Sequence, residues 1–248
     1  MTLSVTDNPH LLGTDDDILY HFGFSKRTHD FTQLFGDIKF VCCAGSTSRI
    51  EALAHTLHKA FDGSLAVVPQ NLSQSDRYIM YKVGPVLIVS HGMGNPSISI
   101  MLVELLKILQ YAHAKNVTFF RIGTCGGLGM EPGSVIISNG AVNGALEPFY
   151  MQHVLGKALQ RPTQVDQVLV QELMDVGKSF GFPVGVGITI CADDFYEGQA
   201  RLDGAFCEFS NDDKARFLQD VHDKGIRNIE MESTCFFATL HRAGVKGL

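Results

Sequence analysis

The chain has 248 residues, of which 45% are hydrophobic and 19% charged, and its formal net charge is −6. This length and composition are enough for a full hydrophobic core, and no lysine- or arginine-rich run suggests a nucleic-acid-binding face. Residues 1–17 lack the basic and apolar regions of a signal peptide. The most apolar window, residues 98–109, contains Glu104 and Lys107 and is too short and too charged to span a bilayer. We therefore expect a soluble, cytoplasmic protein.

The six cysteines are scattered along the chain without the CxxC spacing that is typical of zinc sites. In the absence of a secretory signal, this pattern indicates reduced thiols and not a disulfide framework. The sequence predicts no metal site. The cysteines are Cys42, Cys43, Cys125, Cys191, Cys207 and Cys235.

Strands and helices are predicted to alternate along the chain. Strands are predicted at residues 40–44, 77–83, 86–89, 117–122, 135–137, 184–190 and 228–232, with another beginning at 245–248. Helices are predicted at residues 50–61, 97–111, 166–180, 211–222 and 233–242, and Asn95 and Pro96 are the expected N-cap and N1 residues of the second. A hairpin around Gly84 and Pro85 adds antiparallel pairing to an otherwise parallel sheet. We therefore predict an α/β protein with a mobile N-terminal segment at 1–17 and a single domain over 18–248.

Arg121 ends a predicted buried strand and is followed at once by a turn rich in glycine and threonine. An arginine that leaves water needs an anionic partner, because an unpaired buried charge is costly. The backbone N–H groups of the turn and the Thr124 hydroxyl suit an oxyanion. The segment therefore indicates a phosphate or carboxylate site at the carboxyl edge of the sheet, and a structural ion pair for Arg121 is the alternative.

A second candidate anion site follows the strand at residues 40–44, where Gly45 and Ser46 lead into a helix. Free N–H groups and the helix dipole make such a turn a good anion cradle. Arg49 in the first helical turn opposes the dipole unless an anion lies between them, although a solvated arginine is the alternative. The glycines of His-Gly-Met-Gly at residues 91–94 either let a ligand approach the backbone or form a tight turn.

Two further clusters follow predicted strands near the C-terminus. Glu232 suits a sugar because a carboxylate accepts hydrogen bonds from two vicinal hydroxyls, and the neighbouring Met231 can pack on the sugar ring. Phe195, Gln199 and Arg201 suit a flat heterocycle, with an aromatic ring for its face and an amide and a guanidinium for a carbonyl–imide edge.

Each cluster also has a structural interpretation. Phe195 fits a core position, Gln199 and Arg201 fit a solvated loop, and Glu230 with Glu232 fits a charge cluster at a helix N-terminus. Ligands of α/β sheets, however, bind beyond the carboxyl ends of strands. Because all of these clusters follow predicted strands, their combination favours a binding site.

Five longer segments stand out in the chain: FVCCAGSTSRI, DRYIMYKVGPVLIVSHGMGNPSISIML, FRIGTCGGLGMEPGSV, DFYEGQARLDGA and NIEMES. They resemble the uridine phosphorylases of the nucleoside phosphorylase-I family, most closely the animal type, and the resemblance runs from about Asp17 to the end of the chain. It implies a three-layer α/β/α sandwich with a central mixed sheet, and reversible phosphorolysis of uridine to uracil and ribose 1-phosphate. It implies no cofactor, with inorganic phosphate as a co-substrate.

The resemblance also implies a role for individual residues. Arg121, Gln199 and Arg201 would be catalytic, and donation of two residues in trans would make a homodimer the smallest active unit. The implied binding residues are Gly45, Arg49, Arg121 and Thr124 with the neighbour's Arg77 for phosphate, Met231 and Glu232 with the neighbour's His21 for ribose, and Phe195, Gln199 and Arg201 for uracil.

Two departures from the family pattern leave alternatives open. Members of the family continue beyond the position of Leu248 with a strand, a loop over the base and a C-terminal helix, so an impaired truncated or splice form that binds nucleosides or dimerises is one alternative. Ala200 stands where relatives tend to have glycine.

A purine nucleoside phosphorylase of the same fold is the other alternative, although Gln199 and Arg201 argue against it because a purine edge is normally met by a carboxylate. The spacing of the glycines in Gly123–Gly129, and the residues that follow them, do not fit the glycine motif of a methyltransferase.

Overall fold

The computed structural model describes residues 8–11, 13–61 and 68–248. Its strands are β1 (Ile18–Leu19), β2 (Phe24–Ser25), β3 (Phe40–Ala44), β4 (Met80–Val83), β5 (Val86–Ser90), β6 (Thr118–Arg121), β7 (Gly126–Gly127), β8 (Val135–Asn143), β9 (Phe149–Val154), β10 (Lys157–Pro162), β11 (Val184–Cys191), β12 (Ile226–Glu230) and β13 (Lys246–Gly247). Its α-helices are α1 (Phe31–Phe35), α2 (Thr47–Ala60), α3 (Gly94–Tyr111), α4 (Gln167–Gly177), α5 (Asn211–Asp223) and α6 (Ser233–Ala243).

The described residues pack into two compact units. The first contains the chain up to Gly123 together with Arg242–Gly247, and the second contains Thr124–His241. Each strand and helix predicted from the sequence has a counterpart among the described elements, and α6 is divided between the two units at Arg242. The expected mobility of residues 1–17 and the single domain over 18–248 stay predictions, and residues 1–7 and 12 lie outside the described part of the chain.

The first unit is built on a five-stranded mixed sheet with the strand order β13-β6-β3-β5-β4. Strands β13, β6, β3 and β5 run parallel, and β4 pairs antiparallel with β5 through the predicted hairpin. Every residue of β5 is buried, as expected for a central parallel strand that is covered on both faces. The predicted strand at the end of the chain is confirmed by β13, which pairs with β6.

Helix α2 follows the Gly45–Ser46 turn, as the sequence predicts, but it begins three residues before the predicted range, because Ser46 serves as its N-cap and accepts a hydrogen bond from the Arg49 N–H. Its apolar face packs Ile50 and Ala54 against the sheet. The predicted start of α3 is wrong by three residues: the helix begins at Gly94 and its N-cap is Met93, which makes no side-chain cap. Asn95 and Pro96 therefore lie in the first turn. Backbone N–H groups there have no intrahelical partner, so the missing N–H of proline costs no hydrogen bond.

The second unit contains a four-stranded mixed sheet with the order β7-β12-β11-β8. Strands β8, β11 and β12 are parallel, whereas the short β7 pairs antiparallel with β12. Strand β8 is much longer than the predicted segment 135–137 and pairs with β11 along its length. Val221 of α5 packs against Ile190 and Ile229 in the core of this unit.

The sequence analysis missed the hairpin formed by β9 and β10. These strands are mostly exposed or half-buried and do not alternate cleanly between polar and apolar residues. Leu155 and Gly156 form the connecting turn, and both have a positive φ, which suits a two-residue hairpin loop. A polar hairpin of this kind lacks the hydrophobic period on which strand prediction depends.

The observed caps explain where the predicted helices of the second unit begin. The Asp166 carboxylate accepts hydrogen bonds from two backbone N–H groups at the start of α4. Ser210 and Asp213 form a reciprocal capping box at the start of α5.

The predicted α/β class with mixed parallel and antiparallel pairing is confirmed, although the strands form a separate main sheet in each unit. Within residues 8–11, 13–61 and 68–248, no helix is both long and apolar enough to cross a membrane.

Candidate functional site

The carboxyl ends of three parallel strands meet at one edge of the first unit. The strand register pairs Ala44 with Ser90 and Cys43 with Arg121, so β3, β5 and β6 end side by side. The His91 N–H donates to the Ala44 carbonyl over 2.9 Å, which holds the turn after β5 against the end of β3. This edge brings together the turns in which the sequence analysis predicts an anion site.

Gly45 occupies a position at this edge that has no room for a side chain. A Cβ atom there would lie 2.9 Å from the Gly92 carbonyl oxygen, which belongs to the rigid backbone of the neighbouring turn. The N-terminus of α2 follows immediately and directs the positive end of its dipole toward the same edge. Arg49 lies in its first turn and is half-buried, so it is not the fully solvated arginine of the alternative interpretation.

Arg121 is half-buried at the end of β6, and its guanidinium folds back over the following turn. A Cβ atom at Gly123 would lie 3.2 Å from Nη2 and 3.4 Å from Cζ of Arg121. The glycine therefore lets the guanidinium lie close to the backbone.

His91 is a further polar residue at this edge, and the sequence analysis overlooked it in favour of the neighbouring glycines. Its side chain is fully buried, and neither ring nitrogen has a hydrogen-bond partner among the described residues. A Cβ at Gly45 would lie 3.7 Å from Cε1, the atom between the two nitrogens, so the polar edge of the ring faces Gly45. His91 could have been singled out from the sequence because it follows a continuous apolar strand directly, which is the same pattern that pointed to Arg121.

The His91 imidazole is neutral at physiological pH. Burial, together with the nearby positive charges of Arg121 and Arg49, lowers the pKa of His91 to about 3. A neutral imidazole offers one N–H donor and one acceptor nitrogen. Together with two guanidiniums, a glycine-lined turn and a helix N-terminus, this donor suits a compact oxyanion that carries two negative charges.

The structure also shows the surroundings of the other residues predicted for phosphate and for the trans contacts, namely Arg77, His21 and Thr124. Arg77 is exposed and precedes β4, with its backbone N–H donating to the Ser75 hydroxyl over 3.2 Å. His21 is half-buried in the turn between β1 and β2. Thr124 is exposed and is the first residue of the second unit.

In the second unit, β11 and β12 end next to each other. Their register pairs Cys191 with Glu230, and the Ala192 N–H donates to the Glu230 carbonyl over 2.7 Å. The predicted base-binding loop after β11 and the predicted sugar-binding residues after β12 therefore begin at adjacent points of one sheet edge.

The two glutamates after β12 have different environments. The Glu230 carboxylate accepts hydrogen bonds from the backbone N–H groups of Glu232 and Ser233, at 2.9 and 3.0 Å, at the start of α6. The helix N-terminal interpretation is therefore correct for Glu230. Glu232 is also buried, and Met231 beside it is half-buried. The buried Ser233 hydroxyl has no partner among the described residues and is a polar group that the sequence analysis did not single out.

The loop after β11 is organised by Asp194 and by a short 3-10 turn at Glu197–Gln199. The Asp194 carboxylate accepts from the N–H groups of Tyr196 and Gly198, at 2.8 and 3.0 Å. Ala200 ends the turn with a φ of +55°, a left-handed conformation that glycine adopts at lower cost. The departure from glycine noted in the sequence therefore falls at a strained backbone position.

Phe195 and Arg201 are stacked on each other in this loop. The guanidinium Cζ lies 4.1 Å from the centroid of the Phe195 ring, a cation–π arrangement. Phe195 is 38% exposed, so the alternative interpretation of this residue as part of the core is wrong. Gln199 is half-buried on the same loop. The structure therefore groups the three predicted base-binding residues on one short segment, and their predicted convergence with the anion-binding residues of the first unit stays a prediction.

Comparison with known proteins identifies the family. The family model described as the phosphorylase superfamily matches residues 39–248. The chain belongs to this superfamily. It is 50% identical to the uridine and thymidine phosphorylase of Caenorhabditis elegans over 230 residues, which cover 92% of the chain and 76% of the relative. It is 48% identical to mouse uridine phosphorylase 1 over 242 residues, which cover 96% of the chain and 78% of the relative.

A solved structure within the superfamily shows the same fold. The chain superposes on the crystal structure of uridine phosphorylase from Schistosoma mansoni in complex with uracil with a TM-score of 0.93 and 44% sequence identity. The superposition covers 97% of this chain and 84% of the other. The family resemblance and the nucleoside phosphorylase fold that the sequence predicts are therefore confirmed.

Proposed function

We propose that the chain catalyses the reversible phosphorolysis of uridine to uracil and ribose 1-phosphate. The observation that carries the proposal is the anion-binding edge of the first unit, where two arginines, a helix N-terminus and a neutral buried imidazole surround a turn that admits only glycine at Gly45. Such a cradle suits phosphate as a nucleophilic co-substrate. The similarity to uridine phosphorylases supports uridine as the other substrate.

In the proposed reaction, a phosphate oxygen attacks C1′ of the ribose and the C1′–N1 glycosidic bond breaks. The bonding electron pair leaves with uracil, whose N1 and carbonyl oxygens become more negative, and the proton that the phosphate loses on forming the ester is taken up by the departing uracil. Arg49 and Arg121 orient the phosphate, and Gln199 and Arg201 stabilise the charge that develops on the leaving uracil. No protein nucleophile is needed, and phosphate is a co-substrate in a reaction that requires no cofactor or metal.

The stacking of Arg201 on Phe195 gives the base-binding loop a simple response to substrate. We expect the uracil ring to replace the guanidinium on the Phe195 face and the guanidinium to turn toward the edge of the base. Loss of an exposed cation–π contact costs only about 0.5–1 kcal/mol. Stacking with the base offsets this cost, and Arg201 gains a hydrogen bond to a carbonyl oxygen.

The ribose would be held by Glu232 and Met231, with the carboxylate accepting hydrogen bonds from the 2′- and 3′-hydroxyls. Arg77 and His21 would reach the phosphate and the 5′-hydroxyl in the site of a second copy, so that the active form is a homodimer in the cytoplasm. Thr124 would add a hydroxyl to the phosphate site. Arg77 is exposed, which supports a contact with a second copy of the chain.

The test is an assay of base release with and without inorganic phosphate, using uridine and inosine as parallel substrates. We expect uracil to appear only when phosphate is present, together with an equal amount of ribose 1-phosphate, and inosine to release little hypoxanthine. Preferential cleavage of inosine would indicate a purine nucleoside phosphorylase. Uridine binding in calorimetry without any turnover would indicate a nucleoside-binding protein and contradict the proposal.

A further inference from the structure

Helix α3 is mostly apolar but carries three polar side chains that form a stripe along one face. Glu104, Lys107 and Tyr111 are spaced at i, i+3 and i+7, which places them on one face of the helix. All three contact the short N-terminal segment that includes Asp17 and His21. The stripe therefore attaches this segment to the helix.

The contact between Glu104 and His21 joins residues that are 83 positions apart. The carboxylate oxygens lie 3.0 and 3.3 Å from the His21 backbone nitrogen, which donates to them, and 2.7 Å separates Oε1 from Nδ1 of the ring. One carboxylate thus holds both the backbone and the imidazole of His21. Two fixed points leave the ring little freedom to rotate.

The burial of the two partners differs. The Glu104 side chain is 12% exposed and the His21 side chain is 37% exposed, so the carboxylate is the buried anchor and the imidazole keeps a solvent-exposed part. An ionised carboxylate only accepts hydrogen bonds, so Nδ1 must carry a proton in this contact. In the neutral imidazole, Nε2 is then the acceptor nitrogen.

A second attachment is independent of Glu104. The Lys107 ammonium lies 2.6 Å from the Asp17 carboxylate, and the Tyr111 hydroxyl donates to the same carboxylate. Burial, together with the contact with Asp17, raises the pKa of Tyr111, so this phenol remains a donor at physiological pH. The segment is therefore held at Asp17 whether or not His21 is oriented, and the two attachments can be removed separately.

We propose that Glu104 is the positioning residue of His21, fixing the tautomer with the proton on Nδ1 so that Nε2 accepts a hydrogen bond from the 5′-hydroxyl of the nucleoside. This inference rests on the proposed function, in which His21 reaches the ribose bound by a second copy. Glu104 itself contacts neither substrate. It acts by setting which nitrogen of His21 is the acceptor and where that nitrogen points.

The test compares uridine with 5′-deoxyuridine, which lacks only the hydroxyl that His21 would contact. We expect Glu104→Gln to lower kcat/KM for uridine about three- to tenfold, the effect of one lost hydrogen bond, and to leave kcat/KM for 5′-deoxyuridine unchanged. His21→Ala should give the same pattern, and the double variant should lose no more than His21→Ala alone. Lys107→Met, which removes one of the two side chains that hold Asp17 and leaves Glu104 in place, should not change the ratio between the two substrates.

Equal losses with both substrates in Glu104→Gln, or additive losses in the double variant, would overturn the inference. A second measurement does not depend on turnover. In the unmodified chain, the ¹⁵N chemical shifts of the His21 ring should show a proton on Nδ1. The same shifts should change in Glu104→Asp. A proton on Nε2 in the unmodified chain would also overturn it. A chain that fails to cleave uridine with phosphate but shows the Nδ1 tautomer would contradict the proposed function and retain the positioning role.

Discussion

The candidate anion-binding edge of the first unit and the candidate base-binding loop of the second unit are built in different ways. The edge is formed by the ends of three parallel strands and the start of α2, and its imidazole is completely buried. The loop after β11 is largely exposed, contains a strained Ala200 and stacks Arg201 on a ring that is 38% exposed. Regular elements hold side chains more rigidly than loops do.

This difference assigns different tasks to the two regions. In the proposed function, the rigid edge would present a fixed set of donors to phosphate, an ion that is the same in every reaction. The loop would rearrange around a base, and its side chains would then act on charge that develops only as the base leaves. Changes to the edge should therefore affect phosphate use, whereas changes to the loop should affect base cleavage and stability. The following predictions test this contrast, beginning with the largest expected effect.

Removal of the Arg201 guanidinium should cause the largest loss. We expect Arg201→Ala to lower kcat/KM for uridine by about 10²–10³, the range observed when an enzyme loses one donor to a developing negative charge. Arg216→Ala is the matched control, because Arg216 is an exposed arginine of the same unit that pairs with Asp213 one helical turn away. A rate close to that of the unmodified chain in Arg201→Ala would contradict its role at the leaving base.

A side chain at Gly45 should impair the use of phosphate. The new Cβ would lie 2.9 Å from the Gly92 carbonyl oxygen, so Gly45→Ala must shift the backbone of one of the two turns. We expect the KM for phosphate to rise about 10- to 100-fold, because small misplacements of binding groups have effects of this size. Gly144→Ala is the control, since a Cβ there meets no atom within 4 Å. An unchanged KM for phosphate in Gly45→Ala would remove the turn from the site.

The buried His91 should make the protein less stable in acid. The folded state keeps His91 neutral down to a pH of about 3, whereas the unfolded chain takes up a proton near pH 6.5. The unfolded state therefore binds more protons between these values, and stability falls as the pH is lowered through this window. The contribution of His91 approaches about 1.4 kcal/mol per pH unit.

Urea unfolding at a series of pH values measures this contribution. We expect His91→Gln to have a shallower dependence of unfolding free energy on pH than the unmodified chain between pH 6.5 and the acid limit of the fold. His153→Gln, which changes an exposed histidine of the β9 strand, should keep the steeper dependence. Identical slopes for His91→Gln and the unmodified chain would show that His91 is protonated in the folded state.

The smallest predicted effect concerns the strained loop. Ala200→Gly should stabilise the fold by about 1 kcal/mol, because glycine adopts a positive φ without the penalty that alanine carries. Ala158→Gly, at an exposed position of β10, should destabilise the fold by about 0.5–1 kcal/mol. Destabilisation by Ala200→Gly, measured by the shift in the urea midpoint, would mean that the left-handed turn stores no strain.

Much of the fold could be predicted from the sequence, because buried strands and amphipathic helices have clear hydrophobic periods. The strand before Gly45 has the predicted limits, the helix after it is present although it begins three residues before the predicted range, and α5 ends within one residue of the predicted limit. The exposed hairpin at residues 149–162 was missed because its strands lack such a period. The start of α3 was misplaced because Asn95 and Pro96 fit two successive positions of the same helix turn.

The candidate site was predictable where the chemistry is local and not where it depends on distant contacts. Arg49 and Arg121 were recognised because each charge stands beside a strand end and a glycine turn. The burial of His91 near both arginines, and the contact of Glu104 with His21, depend on the packing of segments far apart in sequence. The stacking of Arg201 on Phe195 depends on the turn that Asp194 organises, which residue types alone do not specify.

The most direct test of the account is the dependence of uracil release from uridine on the concentration of inorganic phosphate. We predict saturable release that requires phosphate and forms one ribose 1-phosphate for each uracil, with Gly45→Ala shifting the phosphate dependence and Arg201→Ala lowering the maximal rate. Uracil release that proceeds equally well without phosphate, or that yields free ribose, would show that the edge of the first unit does not supply the nucleophile and would contradict the account.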